Sequence, residues 1–253
     1  MRIASAAVLS LLLLADVAHG ATLAVVPITA CGQQVPAKTR GLLMSDLDCT
    51  GFVGGIDNVA VSLGDKAVLD LQGFTLTGGS FGVGCFGVCA DGGTSCNDAH
   101  KCEVVNGTVT GAEASGISGE RVTVRNVTAS NNGENGVQGY QQARVYASII
   151  TQNGQTGVRA HDVRVEGSIV TDNGESGVSG SRRNAHGFSM GVRVTDSTVT
   201  GNGTSPECAN PNTCADITSG TRPKVRRTVC GTSAAAYGSS SQCGLDWCVC
   251  TDD

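Results

Sequence analysis

Four stretches decide the fold: VRNVTASNNG over residues 124–133, VYASIITQNG over 145–154, VEGSIVTDNG over 165–174 and VTDSTVTGNG over 194–203. Each opens on a valine and reaches Asn-Gly eight and nine residues later, so the phrase is one unit met again and again. Extending the register gives the anchors Leu71, Val104, Val124, Val145, Val165, Val194 and Val225. Uninterrupted steps are 20 or 21 residues, and the longer ones coincide with insertions, one of them spanning Cys85 to Cys102.

Within the unit each position keeps its chemistry. Five residues after the anchor stand Leu76, Val109, Ala129, Ile150, Val170, Val199 and Cys230. Thirteen after it stand Ile117, Val137, Val158 and Val178, each preceded by glycine. Segments such as RVTVRN and DVRVEG alternate with period two, which is the strand signal. Asn-Gly is expected to supply the positive φ of tight turns. An all-β solenoid follows: a parallel β-helix with coils of about 20 residues, whose equivalent residues stack about 4.8 Å apart. Thr77, Thr110, Ser130, Thr151, Thr171 and Thr200 then form an exterior hydroxyl row, and Asn132, Asn153, Asn173 and Asn202 a stacked turn row.

These phrases, with AVLDLQGFTLTG at 67–78 and the Asn-Gly-x-x-Gly-Val turns, resemble the secreted right-handed parallel β-helix repeat proteins of the pectin-lyase-like superfamily. The resemblance covers roughly residues 45–230 and implies a polysaccharide as partner. Its enzymes are lyases, epimerases and hydrolases, and other members are adhesins. The segment Ala185-His186-Gly187-Phe188-Ser189-Met190-Gly191 is similar to a polygalacturonase element. The paired aspartates that glycoside hydrolysis requires have no match.

Composition sets the compartment. Arg2, the apolar run Val8–Ala15 and small residues at Ala18 and Gly20 read as a signal peptide over 1–20. No apolar run reaches the roughly 20 residues of a membrane span. The remaining chain divides into a cap and first coils at 21–70, the helix at 71–230 with a cysteine-rich insertion at 85–102, and a cysteine-rich cap at 231–253 carrying Trp247. All twelve cysteines follow the leader: Cys31, Cys49, Cys85, Cys89, Cys96, Cys102, Cys208, Cys214, Cys230, Cys243, Cys248 and Cys250. An even number in an exported chain reads as disulfides. Expected pairs are Cys31–Cys49 and Cys208–Cys214, with 85–102 bridged internally and both solenoid ends covered by cysteine-rich segments at 31–49 and 230–253. The spacing lacks zinc knuckles, and neither metal nor cofactor is expected.

Net charge is −5, which with export and no known motif argues against nucleic acid. The charge is polarised along the chain, with four Lys plus Arg against ten Asp plus Glu over 21–120, and twelve against eight over 121–227. One residue before the anchors the outward position reads Asp70, Glu103, Thr123, Arg144, Arg164, Arg193 and Lys224. Four cations in successive coils repel unless a counter-ion sits on them; an acidic polysaccharide is one natural counter-ion, and the interleaved Glu166 and Asp196 are another. Arg144, Arg164, Arg193 and Lys224 are therefore the candidate binding residues, with Tyr146 as a stacking face, in a monomeric protein. For catalysis the candidates are His161, His186, Arg182 and Arg183, grouped with Tyr140 and Tyr146 on neighbouring coils, as base and cation of a lyase or epimerase. A ligand-free structural surface protein is the remaining class.

Overall fold

The computed structural model describes residues 23–54, 58–85, 100–180, 191–204, 215–220, 223–231 and 233–235. The leader, Trp247, Arg182, Arg183, His186 and the cysteines at 89, 96, 208, 214, 243, 248 and 250 lie outside them. The described residues hold 22 strands and no helix, and every strand pairing is parallel.

Each coil contributes three strands to three faces. The first face carries the anchors, through Thr39–Leu43, Ala67–Asp70, 101–105, 121–125, 142–146, Asp162–Glu166, Val192–Thr195 and Lys224–Arg226. The second runs from Leu47–Cys49 and Thr75–Gly78 to Ile149–Thr151, Ile169–Thr171, Thr198–Thr200 and Val229–Cys230. The third includes Val59–Leu63, Phe81–Cys85, Val158–Ala160, Val178–Gly180 and Ile217–Ser219. Alternation points every second side chain inward. Val104, Val124, Val145, Val165 and Val194 thus stack fully buried over one another, as do Val109, Ala129, Ile150, Val170 and Val199. Sequence steps between bonded neighbours of 20, 21 and 29 residues show that the insertion at 181–190 leaves the register intact.

Three expectations need correction. Val104 lies over Leu69, not Leu71, so Val68 rather than Asp70 stands in the row of Glu103. Register returns at Leu76, which pairs with Val109, because two extra residues are taken up at the turn through Gln72 (φ 52°) and Gly73 (φ 86°). The segment 31–49 is not a cover either: Gln33–Val35, Thr39–Leu43 and Leu47–Cys49 already form a coil, and Ala24–Ile28 lies on it. Thirdly, the Asn-Gly pair supplies a positive φ only at Gly203 (81°), and the turn's left-handed residue precedes the pair. It is Asn131, Gln152, Asp172 or Gly201, while a second left-handed position falls two after the anchor at Asn126, Ala147, Gly167 and Asp196. Glycine at 133, 154 and 174 serves close approach instead, since a Cβ at Gly154 would lie 2.1 Å from the Gly133 carbonyl oxygen.

The asparagines bond along the axis. Asn132, Asn153 and Asn173 each donate backbone N and Nδ2 to Oδ1 of the next asparagine, with Nδ2 distances of 2.8 Å. A second buried file, of hydroxyls, runs through Ser148, Ser168, Ser197 and Thr228. The backbone N–H of Val127, Ser148 and Ser168 each donates to the hydroxyl one coil further on, at 3.1 Å. These files satisfy polar groups at corners where strand pairing stops. Two disulfides lie among the described residues, Cys31–Cys49 and Cys85–Cys102, and Cys230 is also disulfide-bonded.

Candidate functional site

The first face is positively charged because of its register. Arg144 pairs with Arg164, Arg164 with Arg193 and Arg193 with Lys224, so four cations follow one another at about 4.8 Å. All four are exposed. The outward row two residues further on adds Arg125, Tyr146, Glu166, Thr195 and Arg226. Lys101 and Arg121 stand in register on the near side. From the strand at 101–105 onward these rows hold eight cations and, in Glu103, Asp162 and Glu166, three carboxylates.

Internal pairing neutralises only part of this charge. Arg125 Nε meets Glu103 at 2.7 Å and Arg164 Nη2 meets Glu166 at 2.7 Å. The hydrogen bond that Arg164 donates to Glu166, and next the Tyr146 phenol, raise the affinity of Arg164 for its proton. Asp162 accepts from Gln142 Nε2 at 2.8 Å. Among the described residues no carboxylate pairs with Arg144, Arg193 or Lys224. The row is therefore a set of parallel cations on a rigid sheet, with one of its four members already bonded.

Tyr146 has a different place from the one its neighbour Arg144 suggests. The guanidinium of Arg125 lies 4.1 Å from its ring centroid and that of Arg164 5.8 Å away, both within cation–π range. The ring orders two arginines across three coils. Arg125 and Arg226 escaped the sequence reading, which followed a single outward row. The period-two alternation that gave Arg144 also gives positions two residues later.

Where it can be followed, the catalytic grouping is split, with Tyr146 set apart from His161 and Tyr140. His161 precedes the strand Asp162–Glu166, whose Glu166 pairs with Tyr146. Five residues of strand put His161 roughly 16 Å along the sheet from Tyr146, too far to act on one bond. Tyr140 is exposed at the same end as His161. No cluster of three or more His, Cys, Asp or Glu suited to a metal occurs among the described residues.

Three parallel faces, a ladder interior and a charged sheet define a β-helix repeat protein. The family model for the right handed beta helix region matches residues 68–230, and the chain belongs to that family. No curated protein and no solved structure matches the chain. The family is one whose members are often carbohydrate-related.

Proposed function

We propose that this is an exported β-helix protein, similar to the pectin-lyase-like group, that as a monomer binds an acidic polysaccharide along its cationic face. The observation that carries the reading is the row Arg144, Arg164, Arg193 and Lys224, held in strand register with a single carboxylate partner. A strand row needs no further ordering to present its charges, which lowers the entropic cost of binding. Guanidinium groups grip carboxylates with paired hydrogen bonds. The leader-like residues 1–20 and the disulfides support export.

The test is a panel of soluble polyuronates and neutral glucans offered to the oxidised mature chain, with the products examined for new reducing ends and unsaturated uronates. Retention of polyuronates with no product supports a binding protein. Unsaturated products would assign a lyase, and retention of neutral glucans alone would refute the charge-based reading.

A further inference from the structure

The second face carries a different pattern. Six successive strands place the pairs of their outward parity in register: Thr75 and Thr77, Thr108 and Thr110, Thr128 and Ser130, Ile149 and Thr151, Ile169 and Thr171, Thr198 and Thr200, of which Ser130 is buried and the threonines are half-buried. The twelve positions hold nine threonines, each bearing a methyl and a hydroxyl, with one serine, two isoleucines and no charge. Ile149 and Ile169 are 43% and 45% exposed, although each could have been polar at no cost to the core. Asp48, in register with Thr77, ends the strip at one edge.

The strip is regular in two directions. Neighbouring strands are about 4.8 Å apart, and outward residues on one strand about 6.6 Å apart. β-branched side chains restrict χ1, so methyls and hydroxyls repeat in fixed orientation. Hydroxyls of the second row are bonded along the axis, with Thr110 Oγ1 donating to the Ser130 carbonyl at 2.7 Å and the Thr151 and Thr171 hydroxyls 3.2 Å apart. The result is a two-dimensional lattice of small apolar and hydroxyl groups on a backbone that cannot readily rearrange.

From this lattice we propose that the second face binds ice, adsorbing to a prism plane whose oxygen repeats lie close to both spacings. Methyl groups order the first water layer around them, and hydroxyls at lattice spacing bond that layer in place. Other occupants fit less well. Six strands by one side-chain pair cover about 250 Å², against roughly 800 Å² per partner in a stable protein complex. The absence of charge within the strip removes the attraction an ionic polymer would need, and that attraction belongs to the first face.

The experiment uses the oxidised mature chain, the variant Thr151→Lys/Thr171→Lys and the first-face variant Arg144→Ala/Arg193→Ala, each checked by thermal melting. Readouts are ice recrystallisation, thermal hysteresis and the crystal planes decorated by fluorescently labelled protein on a single-crystal ice hemisphere. Wild type and the arginine variant are expected to restrain recrystallisation and decorate prism planes, and the lysine variant to lose both effects with its melt unchanged. A wild type that neither shapes nor decorates ice would overturn the proposal, as would equal activity in the lysine variant. Self-association that the lysine variant abolishes, without any ice effect, would overturn it in favour of an interface. None of these outcomes depends on polysaccharide binding at the first face.

Discussion

Asn202 donates both its backbone N–H and its Nδ2 to the same oxygen of Asp216, at 3.0 and 2.8 Å, and the other Asp216 oxygen accepts from the backbone N–H of Gly231. The asparagine file that starts at Asn132 therefore ends on a carboxylate. Asp216 bridges two coils beyond the insertion at 205–214. The file is an interior device whose side-chain acceptors are supplied by the next coil, with carbonyls of the same and the preceding coil as further acceptors.

Breaking that file in the middle should be costly. Asn173 accepts from Asn153 and donates from Nδ2 to Asn202 Oδ1 and to the carbonyls of Ile150 and Thr171. Asn173→Ala strands these buried partners, and a loss of about 2–4 kcal/mol in urea unfolding is expected. A loss below about 0.5 kcal/mol would show that water replaces the amide.

Two glycines of neighbouring coils should respond in opposite ways. Gly154→Ala places a methyl group against the Gly133 carbonyl, and is expected to lower the melting temperature clearly. At Gly167, with φ 59°, an added Cβ would meet only a backbone nitrogen 4.0 Å away, and Asn enters that conformation readily. Gly167→Asn should leave the melting temperature nearly unchanged. Reversed sensitivities would contradict the assignment of turn positions.

Acid should act through Asp70. Partial burial alone would raise its pKa, but the Arg40 guanidinium, the Gln72 N–H and the Asn106 amide outweigh it and hold the carboxyl below the usual range. A lowered folded-state pKa gives stability that is present above the unfolded value of about 3.9 and lost as pH falls through the folded one. Stability measured from pH 6 downward should thus drop below about pH 4. Asp70→Asn should be less stable at pH 6 and show a smaller drop; an unchanged profile would remove Asp70 from the account.

Peptide mapping without reductant should recover the Cys31–Cys49 and Cys85–Cys102 links. Loops of 18 and 17 residues correspond to about 3 kcal/mol each by chain entropy. Cys31→Ser/Cys49→Ser should lose about that much, and stoichiometric zinc with reduced thiols at 85 and 102 would refute the disulfide reading.

The anchors from Val104 onward were legible because each unit repeats the same apolar parity and turn length. Leu69 and Leu71 defeat that logic: both are buried, two residues apart, and period two alone does not say which one stacks on Val104. The turn chemistry at Gly133, Gly154 and Gly174 was misplaced for a related reason, since glycine beside asparagine signals either positive φ, as at Gly203, or close approach, and the repeat does not separate them. The hydroxyl file through Ser148, Ser168 and Ser197 left a weak signal, because serine is as common on surfaces as at buried corners. At the candidate site the cation row follows from spacing alone. Its Glu166 pairing and the Tyr146 sandwich depend on side-chain reach, which spacing does not encode.

The central claim is that the first face binds polyanions through charges acting together. Its most direct test is the Kd for a polyuronate against salt concentration, for wild type and for Arg144→Ala/Arg164→Ala/Arg193→Ala. Three exposed contacts of up to about 1 kcal/mol each predict a weakening of roughly tenfold to a hundredfold at low salt, with a shallower salt dependence in the variant. The same Kd and the same slope in both proteins would contradict the claim.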